Sequence, residues 1–174
     1  SISTFGVESV VVDPSGTKLA FKIASQAARR NGVYVFDMTN RAFPVLAGQS
    51  SSTQLADDTV ALFSNAKITW SPDGKQIAYA WSKQYSSTEL RVVGLDGSQP
   101  RVVFSDEGLR GIAPSGWSPD GKSVLVSSMS KKEHSSRLAW AAVADGSLRQ
   151  VKTFDSRYPF STRLSPDGRF IAYD

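Results

Sequence analysis

The sequence Trp70-Ser71-Pro72-Asp73-Gly74 recurs, in full or with small changes, four times along the chain. In each copy, proline fixes φ at the first corner of a type I turn, Asp or Ser takes the second corner, and glycine supplies the next position with φ > 0. Such a turn commonly joins two antiparallel strands, so we expect each copy to form a tight β-hairpin. The other copies are Val12–Gly16, Trp117–Gly121 and Leu164–Gly168.

The spacing of the copies indicates a repeat architecture. Their prolines stand at positions 14, 72, 119 and 166, which are 58, 47 and 47 residues apart. Short runs rich in Val, Ile, Phe and Tyr flank each turn, and we find no convincing helical period. Antiparallel units of four strands at this spacing are typical of β-propeller blades. The sequence therefore predicts an all-β chain of propeller blades.

We expect about three and a half blades, which cannot close into a ring alone. The remaining blades would come from the same polypeptide or, alternatively, from a second copy of the chain. The residue before each turn, which is Val12, Trp70, Trp117 or Leu164, would fill the space between adjacent blades. We place the blades at about 7–46, 66–104 and 112–153, a half-blade at 160–174, and the outer strand of a preceding blade at 1–5.

The motif itself resembles that of known families. Trp-Ser-Pro-Asp-Gly-Lys followed by Ile-Ala-Tyr, at residues 70–79, is similar to the WD40-like repeat of TolB-type propellers. It also resembles the propeller domains of prolyl oligopeptidase-family enzymes and of tricorn-like proteins. The resemblance covers essentially the whole chain, although the first copy reads Asp13-Pro14-Ser15 where the others read Ser-Pro-Asp. It implies a bacterial, periplasmic or otherwise extracytoplasmic protein, with a cytoplasmic location left open.

Composition argues against several functions. The chain has no Cys and a single histidine, His134, so we expect no metal site, no cofactor site and no catalytic residues. Neither a Gly-x-Ser-x-Gly elbow nor a phosphate-binding glycine loop is present. The net charge of +4 is spread evenly, which does not favour a nucleic-acid partner. No apolar run is long enough to insert into a membrane.

The connections between strands suggest where a partner would bind. In propellers, the first-to-second and third-to-fourth strand connections share one rim, and the others share the opposite rim. We expect the second rim to hold the long loops, at 25–31, 47–65, 82–87, 105–111, 129–136 and 154–159. A rim of mixed charge with Arg and Tyr suits a protein partner. The candidate partner-binding residues are Arg29, Arg30, Lys83, Tyr85, Arg110, Lys131, Lys132, His134, Arg157 and Tyr158.

These observations leave three functional hypotheses. The first is a non-enzymatic, TolB-like scaffold that binds a protein through its long-loop rim. The second is the propeller domain of a prolyl oligopeptidase-like serine peptidase, with its catalytic domain outside this chain. The third is the sensor domain of a signalling protein. The motif specifies architecture, and one architecture serves many functions.

Overall fold

The computed structural model describes residues 6–24, 32–39, 67–83, 87–96, 98–133, 135–155 and 161–174. Within these ranges every helix-or-strand element is a β-strand, and all strand pairs are antiparallel. The prediction of an all-β fold built from antiparallel blades is therefore confirmed. We number the sheets, which we call units, in chain order.

Each unit is a meander in which successive strands are neighbours. The first unit contains β1 (Gly6–Val12), β2 (Lys18–Ala24) and β3 (Gly32–Asp37). The second contains β4 (Ile68–Trp70), β5 (Gln76–Lys83), β6 (Ser87–Gly94) and β7 (Arg101–Asp106). The third contains β8 (Leu109–Trp117), β9 (Ser123–Ser130), β10 (Ser136–Ala142) and β11 (Leu148–Phe154). The fourth contains β12 (Thr162–Leu164) and β13 (Ile171–Tyr173).

The repeated turns form the predicted hairpins. Gly16, Gly74, Gly121 and Gly168 have φ between 66° and 72°, in the left-handed region that favours glycine. In the second unit, Ser71 Oγ donates to Asp73 Oδ1 at 2.6 Å and accepts from the backbone N–H of Gln76 at 2.9 Å. The third and fourth units repeat both contacts. Serine and aspartate therefore form hydrogen bonds within their own turn.

The first turn keeps this arrangement by exchanging the two residue types. Asp13 stands where the other copies have serine, and its Oδ1 accepts from the backbone N–H of Lys18 at 2.6 Å. Ser15 stands where the others have aspartate, and its hydroxyl donates to Asp13 Oδ2. The same pair of positions is hydrogen-bonded in all four turns, with donor and acceptor reversed in the first. The departure of Asp13-Pro14-Ser15 from the repeat thus leaves the hairpin intact.

The four turns lie side by side on one end of the molecule. A β-carbon placed on Gly74 would be 3.8 Å from Cδ of Pro14, and one placed on Gly121 would be 3.9 Å from Cδ of Pro72. At Gly168 the approach is closer, since a β-carbon there would be 2.4 Å from Cγ of Pro119. The second, third and fourth turns therefore each pack against the proline of the turn before them. We call this end the turn rim.

Tryptophans connect the first strand of each unit to its predecessor. Trp70 Nε1 donates to the carbonyl of Val11 at 3.2 Å, and Trp117 Nε1 donates to the carbonyl of Thr69 at 3.1 Å. Both indoles are buried, with 7% and 6% of their surface exposed. Leu164 has no donor at this position and instead packs beside Gly116. The prediction that these side chains fill the space between blades is confirmed for Trp70 and Trp117.

Two apolar cores lie between neighbouring units. One core joins the first and second units through residues such as Val35, Trp70 and Ile77. The other joins the second and third units through residues such as Leu90, Trp117 and Val126. Because each core is shared between neighbouring sheets, the units stack face to face.

One predicted connection is wrong. The sequence analysis placed a loop at 105–111, but β7 continues to Asp106 and β8 already begins at Leu109. Gly108 N–H donates to Asp106 Oδ1 at 2.6 Å, which closes a two-residue turn. The β6–β7 connection on the turn rim is longer than this turn, so connection length alone does not distinguish the two rims in this part of the chain.

Candidate functional site

The rim opposite the turns, which we call the loop rim, is where the sequence predicts the partner-binding residues. Lys83 is the last residue of β5, and Arg110 lies inside β8 rather than in the loop that we expected. Lys131 and Lys132 lie in the β9–β10 loop, as predicted. The other candidates lie outside the described residues: Arg29, Arg30, Tyr85, His134, Arg157 and Tyr158.

The structure brings three of these cations together. Leu109 pairs with Ser130, so Arg110 at the start of β8 lies beside the β9–β10 loop. Lys131 fixes this loop to the β7–β8 turn, since its backbone N–H donates to Gly108 O at 2.8 Å and its Nζ donates to Glu107 O at 2.7 Å. Arg110, Lys131 and Lys132 are all exposed. They form a cationic patch on the loop rim of the third unit.

Glu133, in the same loop, forms an ion pair beside this patch. Its Oε2 accepts from Arg137 Nη2 at 2.8 Å and from the Ser135 hydroxyl at 3.1 Å. Both charged side chains are about half exposed, so this ion pair contributes little to stability. It gives the rim the mixed charge that the sequence predicted.

A second group of polar side chains, which the sequence analysis did not single out, lies on the second unit. The Arg91 guanidinium carbon is 3.8 Å from the centre of the Trp81 ring. Arg91 Nε donates to Glu89 Oε2 at 2.7 Å, and the two side chains are only 23% and 16% exposed. We call Trp81, Glu89 and Arg91 the arginine cluster.

The arginine cluster faces the first unit, on the half of the sheet nearer the loop rim. Trp81 pairs with Glu89 and Tyr79 pairs with Arg91, so the four side chains share one face of the sheet. Tyr79 belongs to the core between the first two units. Lys22 of β2 points into the same space, because its partner Val33 is buried in that core. The cluster therefore lies at the junction of the two units.

The repeat itself contained a signal for this cluster. Tyr79 stands eight residues after the first residue of its turn, as Phe21 and Val126 do in the first and third units. Their strand partners are Arg91, Tyr34 and Ala139, respectively. Among the three units whose third strand the structure describes, only the second has arginine at this position, where the others have tyrosine or alanine. Aligning the third strands as well as the turns would have found it.

The aspartates of the turn rim have perturbed ionisation. The Ser71 hydroxyl lowers the pKa of Asp73, and the backbone N–H of Lys75 lowers it further. Serine hydroxyls lower the pKa of Asp120 and Asp167 in the same way. Burial raises the pKa of Asp13, but hydrogen bonds from Ser15 and from nearby backbone N–H groups outweigh it and lower the pKa overall. These carboxylates serve as acceptors inside their own turns.

Two further kinds of feature are absent from the described ranges. No three His, Asp or Glu side chains there lie close enough together to hold a metal ion. Among the same residues, no helix has the length and apolar character required to cross a membrane.

Comparison with known proteins places these features in a family. A curated relative, the uncharacterized peptidase YuxL of Bacillus subtilis, is 25% identical over 119 residues, which are 65% of this chain and 16% of YuxL. Among solved structures, TolB of Acinetobacter baumannii superposes with a TM-score of 0.70 at 22% identity, over 97% of this chain and 37% of TolB. A prolyl endopeptidase superposes with a TM-score of 0.62 at 19% identity, over 94% of this chain and 24% of that enzyme.

The chain thus spans a minor part of each of these proteins, and the two structural likenesses concern the fold alone. The family match reaches further, because residues 3–173 fit the prolyl oligopeptidase N-terminal β-propeller domain. The resemblance to TolB-like and prolyl oligopeptidase propellers that the repeated motif suggested is confirmed. The chain belongs to the family of prolyl oligopeptidase N-terminal β-propeller domains.

Proposed function

We propose that these residues form part of the propeller of a serine peptidase of the prolyl oligopeptidase family. This was the second hypothesis from the sequence, and the family match over residues 3–173 now carries it ahead of the first. The peptidase relative in Bacillus subtilis supports the same choice. The nucleophile and its base would lie elsewhere in the polypeptide, since the chain offers neither a nucleophile elbow nor a second histidine.

In this proposal the propeller controls which peptides reach the catalytic part. The loop rim, with Arg110, Lys131 and Lys132 exposed on the third unit, would contact that part or the substrate. Further blades would come from the same polypeptide, in keeping with the small share of the relative that the chain covers. A second copy of the chain is the alternative source of these blades.

The cationic patch also supports the first hypothesis, a protein-binding scaffold, as a second candidate function. A TolB-like scaffold would use the same loop-rim cations to hold a separate protein partner, and an extracytoplasmic location would accompany it. Arg110 is exposed beside the β9–β10 loop and Lys132 is exposed within it. Lys131 holds this loop in place, which reduces the entropy that a partner must remove on binding.

Labelling with a fluorophosphonate separates the two candidates. This reagent reacts covalently with the activated serine of serine hydrolases, because only a serine with a positioned base is nucleophilic enough. We expect the native polypeptide to be labelled once, at a serine outside residues 1–174, when the modified peptide is mapped by mass spectrometry. Boiled protein is the control. An unlabelled native protein that also fails to cleave proline-containing peptides would reject the peptidase proposal in favour of the scaffold.

A further inference from the structure

We infer that the arginine cluster recognises a carboxylate group of a bound peptide, an inference that rests on the proposed peptide-handling function. Arg91 is the residue that would make the contact, and Trp81 and Glu89 would position it. The inference starts from the contacts that hold the guanidinium in one orientation.

Those contacts leave the recognition edge of the guanidinium unused. The Trp81 ring covers one face of Arg91, and Glu89 accepts from Nε. Neither contact uses the parallel N–H bonds of the two terminal nitrogens, Nη1 and Nη2. A guanidinium presents these bonds in a planar fork that matches the two oxygens of a carboxylate. Because the orientation is already fixed, little further side-chain entropy is lost when a carboxylate binds.

The surroundings strengthen such a contact. With 23% of Arg91 and 16% of Glu89 exposed, the cluster is largely shielded from water, and charge-assisted hydrogen bonds are stronger in a medium of lower dielectric constant. Glu89 balances the charge of Arg91, and Lys22 adds a second cation from the facing unit.

The cluster also departs from the repeat in a way that packing does not require. The first and third units fill the Arg91 position with Tyr34 and Ala139, and the third unit buries Ala139 in a core. An apolar residue therefore suffices at this position for units to stack. Departures from a repeat that cost desolvation without improving packing are expected at functional sites.

Binding of matched peptides to the native polypeptide tests the inference. The probes are fluorescein-labelled Ala-Gly-Pro-Ala with a free C-terminal carboxylate, the same peptide as its C-terminal amide, and an amide in which aspartate replaces the last alanine. Fluorescence anisotropy gives the affinity, after fluorophosphonate treatment so that no probe is cleaved. We expect the acid to bind about tenfold more tightly than the amide, as one charge-assisted contact provides.

The aspartate-containing amide distinguishes the source of the carboxylate. If it binds as tightly as the acid, the cluster accepts a side-chain carboxylate as well as a chain terminus. If it binds like the plain amide, the cluster recognises the C-terminus of the peptide. Either result supports the inference, provided that the acid and the plain amide differ.

Arg91→Lys keeps the charge but removes the planar fork and the stacking, so it should reduce the affinity for the acid to that for the amide. The matched control is Arg137→Lys, because Arg137 also pairs with a glutamate at 2.8 Å but is exposed. It should leave both affinities unchanged. Trp81→Phe keeps an aromatic ring and should weaken acid binding a few-fold, which provides a second variant if Arg91→Lys does not fold.

Equal affinities for acid and amide, or an unchanged preference in folded Arg91→Lys, would overturn the inference. Those results would show that the cluster only stabilises the packing of the first two units against each other. Failure of the peptidase proposal would look different, because loss of fluorophosphonate labelling does not affect the preference for the acid.

Discussion

The turn rim and the loop rim of this molecule are built on different rules. On the turn rim, all four units have a serine–aspartate contact and a left-handed glycine, and the turns of the second, third and fourth units pack against the preceding proline. Toward the loop rim, the bond from Lys131 to Glu107 and the stacking of Arg91 on Trp81 each occur in one described unit. The repeated contacts specify how units stack, and we propose that residues of the single ones take part in recognition.

If this comparison holds, glycine substitutions should cost far more on the turn rim than near the loop rim. Gly146 lies in the β10–β11 turn with φ of 74°, and a β-carbon there would be 2.0 Å from the carbonyl oxygen of Val103 in the neighbouring unit. Since backbone atoms must move, Gly146→Ala should destabilise the native polypeptide by about 3 kcal/mol or more in urea denaturation.

Gly111 is the matched control for this change. It lies in β8 near the loop rim, and a β-carbon there would meet no atom within 4 Å. Gly111→Ala should leave stability unchanged or raise it by up to about 1 kcal/mol, because alanine restricts the unfolded chain. Similar losses at the two glycines would show that the rims are not constrained differently.

The tryptophan contacts provide a second test of the comparison between repeated and single contacts, with a smaller expected loss of stability. Trp117→Phe removes the donor to Thr69 O inside a core and leaves part of the indole space empty. We expect a loss of about 2–3 kcal/mol in urea denaturation. Trp140 of β10 is only half-buried, so Trp140→Phe should cost less than half as much. A larger loss at Trp140 would mean that the repeated hydrogen bond contributes little to the stacking of units.

The sequence predicted the structural features whose residues recur along the chain. The turns, the blade order and the Trp70 and Trp117 positions followed from residues that recur, because proline, glycine and β-branched residues restrict the backbone locally. It did not predict the short Glu107–Gly108 turn, since β8 gains length from register shifts that depend on pairing with β9. It also missed Arg91, whose partners become neighbours only through strand register.

The first turn offers the finest test, because it reaches the repeated geometry with exchanged residues. Asp13 is only 5% exposed and accepts hydrogen bonds from Ser15, Thr17 and Lys18, with a pKa below its ordinary value of 3.8. A carboxyl with a lowered pKa in the folded state adds stability that is present above the unfolded pKa and is lost as pH falls through the folded one. Asp13→Asn should therefore cost about 1–2 kcal/mol at neutral pH, and the difference from the wild-type protein should shrink below about pH 4.

The double exchange Asp13→Ser with Ser15→Asp is the control, since it writes the sequence of the other three turns into the first. In the second unit, Ser71 Oγ accepts a hydrogen bond from the backbone N–H of Gln76. The serine introduced at position 13 would accept the equivalent hydrogen bond from the backbone N–H of Lys18. We expect near wild-type stability at neutral pH and a pH dependence like that of the other three turns, because the carboxylate moves to the position where a serine hydroxyl and a backbone N–H lower its pKa. If Asp13→Asn lowers stability equally at pH 7 and pH 3, the charge of Asp13 does not stabilise this turn. Proline and glycine alone would then account for the shared conformation of the four turns.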